Sequence, residues 1–263
     1  MQPLNNENNL VTIKLKYENQ ESSAQIHEYI ADKKKLAKIS DYFRSMFNSG
    51  FVESNSKSVE ISGVTPTAMN VIIDWMENDG NQKIRDLIER DSNCDICEVL
   101  QATSMLLISD LEKEITKQLI ENFNIDNVCD YLMTSELYSN ESLFSDALTF
   151  ILWHFDQIWK SEGFLNLPFH LVKVILEHKH LNVQKSEMQA FQALSAWINH
   201  DKTQRSKYLQ ELVECVIVER LSLQERLDIE KSLKEDEVCL SKSERKRILP
   251  HVSFMLNQIQ VIK

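Results

Sequence analysis

Strand-like alternation of apolar residues is confined to the first third of this chain, and that limits its folds more than any other feature. Leu10-Val11-Thr12-Ile13-Lys14-Leu15-Lys16-Tyr17 alternates and is rich in β-formers, which predicts a strand. Ser23 to Ala31 predicts its hairpin partner, with Ala24, Ile26, Glu28 and Ile30 on one side and Gln25, His27 and Tyr29 on the other. Val59-Glu60-Ile61 reads as a half-buried strand. After Gly80 only Lys83 to Leu87 could be a strand or a turn; elsewhere the spacing is helical. Four Gly and four Pro in 263 residues are too few for the tight turns of an all-β protein. The expected class is α+β: a small sheet with helices, followed by an all-α region.

The helices follow from their start and stop signals. Leu36, Ile39, Phe43, Met46 and Phe47 share one helical face, Ser40 suits an N-cap before Asp41, and Asn48-Ser49-Gly50 is a stop. Thr65-Pro66 opens a helix with Met69, Ile72, Ile73 and Met76 inward and Trp75 beside them. Asp95 to Leu107 predicts a helix facing inward through Ile96, Val99, Leu100, Thr103 and Leu107. Ser109 and Glu112 have capping-box spacing before a helix that runs to about Asn122. From Ile125 the helices come in pairs: Asp126–Leu137, Glu141–Trp159, Pro168–Glu177, Lys185–Asn199 and Gln204–Val216. Leu223–Leu233 and Arg245–Leu256 are further candidates. The boundary is placed after Asn122, giving domains 1–122 and 123–263.

Net charge of −11 disfavours nucleic acid and anionic membrane as partners, since both need a basic face. The basic run Lys242 to Arg247 contains Glu244 and reads as a solvated helix face, with nuclear import as the minor alternative. Five Cys, an odd number, and no apolar leader fit free thiols in a cytoplasmic or nuclear setting. Cys94-Asp95-Ile96-Cys97 has metal-pair spacing but lacks a second ligand pair. His178 and His180, two apart at a helix end, are expected to point apart; His200-Asp201 reads as a polar link before the next helix. Asn140-Glu141-Ser142 is a glycosylation sequon by pattern only. Phe144, Leu148, Ile151, Leu152 and Phe155 form a core stripe, with Trp153 and Trp159 partly outside it. No phosphate-cradling Gly loop and no Gly-x-Ser-x-Gly elbow occurs. The residues offer no acid–base constellation, so no enzyme, cofactor or metal is expected.

The wording LAKISDYFRSMFNSGFVES, then VEISGVTPTAMNVIIDWM, resembles the BTB/POZ domain of the kelch-like proteins. Phe164-Leu165-Asn166-Leu167-Pro168, Val174-Ile175-Leu176, Leu181-Asn182-Val183, Glu187, Ala190 to Ile198, Asp201 and Arg205 resemble the BACK domain that follows it there. The resemblance covers about Leu10 to Leu221. It implies a non-catalytic adaptor, the substrate-receptor subunit of a cullin-3 ubiquitin ligase, or else a scaffold assembling with itself or other BTB chains without a ligase role, or a decoy lacking the propeller. Phe51-Val52-Glu53 matches the hydrophobic–x–acid motif that cullin-3 binders carry after the Tyr-Phe helix. Tyr42, Arg44, Met46 and Asn48, and the start of the helix near Asp95, would extend that surface. Two departures stand out. Only Met1 to Asn9 precede the first strand, with Leu10-Val11 and Ala31-Asp32 where the family has Cys-Asp and Ala-His, which puts the swapped-helix dimer in doubt. The Gly-poor end at Lys263 cannot form a kelch propeller, so the chain reads as a fragment or as a member ending after BACK.

Overall fold

Val11, Ile13 and Leu15 are buried along one side of strand β1 (Leu10–Glu18), and the sheet is built around them. The computed structural model describes residues 9–18, 24–48, 56–80, 84, 86, 95–181, 187–216 and 221–234. Strand β2 (Ala24–Asp32) pairs antiparallel with β1, from Leu10 opposite Asp32 to Glu18 opposite Ala24. Strand β3 (Ser58–Ser62) pairs parallel on the other side, with Ile13 opposite Val59, so the order is β2-β1-β3. A parallel partner requires a crossover connection. Helices α1 (Lys33–Ile39) and α2 (Asp41–Asn48) lie in it.

Asp32 caps α1 through its carboxylate, which accepts from the Lys34 N–H at 2.7 Å. Helix α3 (Pro66–Glu77) starts as its sequence predicts: Thr65 Oγ1 accepts from the Ala68 N–H, and Pro66 takes the first turn. Its buried face holds Ala68, Met69, Val71, Ile72, Trp75 and Met76; Ile73, expected inward, is only half-buried. Ile84 and Asp86 are helical, so neither a strand nor a turn forms at those two positions; Lys83 and Leu87 lie outside the described residues. Helices α4 (Ile96–Met105) and α5 (Ser109–Glu121) complete the described part of a first compact unit, Met1–Asn122.

The second unit, Phe123–Lys263, is helical throughout its described residues. It runs α6 (Val128–Leu137), α7 (Glu141–Trp153), α8 (Phe155–Ile158), α9 (Glu162–Asn166), α10 (Phe169–Leu176), α11 (Met188–His200), α12 (Lys202–Arg205), a 3-10 turn (Ser206–Tyr208), α13 (Leu209–Glu214) and α14 (Leu223–Lys234). Two expected helices are divided. The Glu141–Trp159 segment breaks at His154, whose ring turns back over Phe150 with Nδ1 3.0 Å from the Phe150 carbonyl. The Gln204–Val216 segment is interrupted by the 3-10 turn. Helix α9 carries no long apolar period and was not expected; Ser161 caps it through the Phe164 N–H. Of the expected stripe, Ile151, Leu152 and Phe155 are buried, and Phe144 and Leu148 are partly buried against them. No helix of the described residues is long and apolar enough to cross a membrane. The Arg245–Leu256 candidate and the Lys242–Arg247 run lie outside the described residues.

A chain so poor in glycine closes its helices by another device. Asp79, Leu107 and Ser139 take φ of 50°, 51° and 55° just past α3, α4 and α6. In each case the next N–H reaches back to the carbonyl five residues earlier: Gly80 to Trp75 at 3.0 Å, Ile108 to Thr103 at 2.9 Å and Asn140 to Ser135 at 2.8 Å. These are Schellman closures with a side chain where glycine is commonest, each strained by about 1–2 kcal/mol. Two of the closing residues also open the following helix, which is why the links are so short. Asn140 Oδ1 accepts from the Leu143 N–H at the start of α7, and Ile108 is the N-cap of α5. Ser109 therefore sits one position inside α5, and the expected capping box does not form, because the closure of α4 already fixes the entry at Ile108. The same closure turns Leu107 outward and Leu106 inward, reversing the expected inward placement of Leu107.

Candidate functional site

Helix α2 is eight residues long and is anchored by three interactions. Phe43 is fully buried, stacks on Phe47 at 5.9 Å and meets Tyr42 edge-on at 5.4 Å. Ser40, also fully buried, accepts from the Phe43 N–H at 3.1 Å and donates to the Leu106 carbonyl at 2.5 Å. The Asp41 N–H donates to the Leu107 carbonyl at 3.2 Å. The N-terminus of α2 is thus hydrogen-bonded to the end of α4, at the opposite end from the Asp95 start that would extend the partner surface. At that start Asp95 caps through the Cys97 N–H, and the Glu98 carboxylate accepts from Thr65 and Thr67 at the head of α3. Ten helical residues, about 15 Å, separate the two ends.

The expected contact residues separate into two groups. Tyr42 and Met46 are half-buried, and Asn48 is exposed at the end of α2. Arg44 is exposed but engaged: it pairs with Asp41 at 2.6 Å, and its Nε donates to the Ala37 carbonyl at 3.0 Å. A cation on the last turn of α1 stabilises that helix end, so Arg44 has a structural task that its sequence position does not show. Phe51, Val52 and Glu53 lie outside the described residues. At Ser56, the next described residue, Lys33 Nζ donates to the backbone carbonyl at 2.9 Å, and the same ammonium lies 5.4 Å from the centre of the Phe47 ring. Sequence reasoning missed Leu107, an exposed apolar residue whose backbone carbonyl accepts from the Asp41 N–H at the start of α2. Its signal was the apolar run Leu106-Leu107-Ile108, which reads as uninterrupted helix.

In the second unit, the residues with the strongest family wording are framework. Trp197 is buried and its Nε1 donates to the Leu167 carbonyl at 2.8 Å. Arg205 lies 4.3 Å over the Trp197 ring and donates to the carbonyls of Leu165 and Trp197. Asp201 caps α12 through the Gln204 N–H. His178 and His180 do not point apart: their ring centres are 5.7 Å from each other, and the His180 N–H donates to His178 Nδ1. They line a cavity of about 530 Å³ with Thr149, Leu152, Trp153 and Leu181. Among the described residues, no three His, Cys, Asp or Glu side chains cluster as metal ligands would.

Burial pushes the thiols of Cys129 and Cys215 up to about 12, with Asp130 adding to the effect at Cys129 and Glu177 at Cys215. The reactive species is the thiolate. At pH 8, iodoacetamide is therefore expected to alkylate the half-buried Cys97 in the folded protein and to reach Cys129 and Cys215 only on unfolding; peptide mass spectrometry reads this directly. Because folding raises these values, their contribution to stability is complete below the unfolded thiol range near pH 9. It falls as pH rises from there towards 12, by about 1.4 kcal/mol per pH unit per thiol. Alkylation of Cys129 in the native state at the rate of Cys97 would contradict this placement.

Comparison with known proteins assigns both units. The model of the BTB/POZ domain matches residues 1–123, and that of BACK, "BTB And C-terminal Kelch", matches residues 128–230. Kelch repeat and BTB domain-containing protein 3 of Homo sapiens is 34% identical over 207 residues, which are 78% of this chain and 32% of that protein. Kelch-like protein 2 of Homo sapiens is 27% identical over 242 residues, 91% of this chain and 38% of its own. Kelch repeat and BTB domain-containing protein 2 of Homo sapiens is 28% identical over 195 residues, 74% and 30% of the two chains. The chain thus spans about a third of the length of these curated relatives. With a three-stranded sheet and helices in the first unit, helices in the second, and both models matching in order, this chain belongs to the BTB/POZ–BACK proteins of the kelch-like family.

Proposed function

We propose that the chain is a non-catalytic adaptor that docks a cullin-3 type scaffold through α2 and the segment after it, and so serves as the substrate-receptor arm of a ubiquitin ligase. The observation that supports this most is the placement of α2. Family membership implies a docking helix followed by a hydrophobic–x–acid motif, and here the start of α2 is hydrogen-bonded to the end of α4 while Asn48 and the neighbouring Leu107 are exposed. An exposed Phe51 would fill an apolar pocket on a partner helix, and the Glu53 carboxylate would cap or pair beside it. Cytoplasmic residence is part of the proposal; the free thiols Cys97, Cys129 and Cys215 suit a reducing compartment.

Calorimetry against the cullin-3 N-terminal region tests it. The wild-type chain is expected to bind, and Phe51→Ala with Glu53→Ala to weaken binding by about 2 kcal/mol or more, roughly thirtyfold, as loss of a central anchor does. Absence of wild-type binding, or equal binding by the double variant, would sink the reading.

A further inference from the structure

Thr149, Leu152 and Trp153 stand at i, i+3 and i+4 at the end of α7 and so share one side of that helix. Leu152 is buried there, while Trp153, one residue on, is 68% exposed. The turn that follows α10 faces them across the cavity of about 530 Å³, a size at which clefts hold ligands. Two hydrogen bonds fix this turn. The Leu181 N–H donates to the His178 carbonyl at 2.9 Å, and the His180 N–H donates to His178 Nδ1 at 3.3 Å. The site is therefore formed before any ligand arrives, and its aromatic wall is at the surface, where a chain can enter.

The walls are neutral in a chain that carries 40 Asp and Glu. None of the described lining residues, Thr149, Leu152, Trp153, His178, His180 and Leu181, has a carboxylate, an ammonium or a guanidinium. Because His178 Nδ1 accepts a hydrogen bond, the neutral imidazole carries its proton on Nε2, which has no partner among the described residues and is left to donate. The Thr149 hydroxyl proton is already given to the Ser145 carbonyl at 2.8 Å. The cavity thus combines an exposed indole, two imidazoles with ring centres 5.7 Å apart, two leucines and a neutral donor, with no permanent charge to select an anion or a cation.

A ligand matched to these walls has an apolar body, accepts hydrogen bonds and bears no charge. A run of prolines meets all three conditions. Its rings are apolar, its residues have no N–H, and its carbonyls are unused within the polyproline helix. We propose that the cavity docks a proline-rich segment of a partner protein, with a proline ring on Trp153 and a backbone carbonyl accepting from His178 Nε2. Such a segment is ordered before it binds, so little conformational entropy is lost on docking. The surface lies wholly in the helical unit and shares no residue with α2, so it is independent of the cullin reading. It gives the chain a recruitment site of its own.

Calorimetry of the full chain with acetyl-decaproline amide tests the assignment. The wild type is expected to bind with a dissociation constant below about 1 mM. A Gly-Ser peptide of the same length, flexible and rich in N–H groups, is expected to bind at least about tenfold more weakly. Trp153→Ala is expected to weaken decaproline binding at least about tenfold, as loss of an aromatic anchor does, and Trp153→Phe to regain part of it. His178→Asn keeps an acceptor for the His180 N–H but lacks the Nε2 donor, and is expected to weaken binding about three- to tenfold. It decides the matter should Trp153→Ala unfold. A wild-type chain that does not bind decaproline in this range overturns the proposal. So does binding that neither Trp153→Ala nor His178→Asn changes, or equal binding of the Gly-Ser peptide. Binding of sodium benzoate in place of decaproline also overturns it and makes the cavity an anion site.

Discussion

Trp197→Ala is expected to destabilise the helical unit by about 3–5 kcal/mol, the range for removing a large buried aromatic side chain. Trp197 is 1% exposed, so its loss leaves a cavity that surrounding groups fill only in part. Phe169 and Tyr208 lie within ring-contact distance, at 6.5 and 6.2 Å. The substitution also takes the indole N–H from the Leu167 carbonyl and the ring from beneath Arg205. Arg205 keeps its bonds to the backbone carbonyls of Leu165 and residue 197, so the guanidinium is not stranded by the change. Burial already lowers its pKa from the usual arginine value, and Asp201 opposes that shift. Trp197→Phe restores most of the ring but not the N–H, and its loss is expected to be the smaller of the two. Urea unfolding followed by far-UV circular dichroism measures both. A loss below about 1 kcal/mol for Trp197→Ala would mean that the loop at Leu165 to Leu167 is held by something else.

Ser40→Ala is expected to lower stability by about 2–4 kcal/mol, an unusual amount for one hydroxyl. The hydroxyl bridges two backbone groups in a fully buried position: it caps α2 at the Phe43 N–H and satisfies the Leu106 carbonyl. Alanine leaves both without this partner and gives water no room to replace it. Ser40→Thr keeps the hydroxyl and is expected to recover most of the loss. Hydrogen exchange separates this from general destabilisation. Amides at the start of α2 are expected to exchange faster in Ser40→Ala, while those of α3, which has its own cap at Thr65, are expected to keep their protection. Uniform loss across both helices would assign Ser40 to packing and not to the α2–α4 junction.

These two residues mark how far the chain could be read before its fold was known. Ser40 was legible as a cap because capping is local: it depends on a residue type and on the helix it begins. Its second bond, to Leu106, spans 66 residues and leaves no local trace. Leu107 misled for a related reason. The apolar run around it fits a continuing helix, and only the left-handed backbone at residue 107 turns that side chain out. Arg44 looked like a contact residue and is held against the last turn of α1, because the break at Ser40 folds α2 back towards it. Phe51, Val52 and Glu53 were chosen on family wording, and the calorimetric test above addresses them directly.

By itself, the sequence determined the order of elements, the α+β class and most core positions, because period and capping are set by neighbours a few residues apart. It also carried the family wording of both halves. Tertiary structure decided which ends of helices meet and which face of β2 is inside. The sequence divides β2 into two alternate sets, and hydrophobicity alone would bury Ile26 and Ile30. Register with β1, and the bond from Tyr29 to Pro66, turn the other set inward instead, with Ala31 buried and His27 and Tyr29 half-buried. Strand parity is all or none, so one long-range pairing set the side chains of β2 together and left Ile26 and Ile30 exposed.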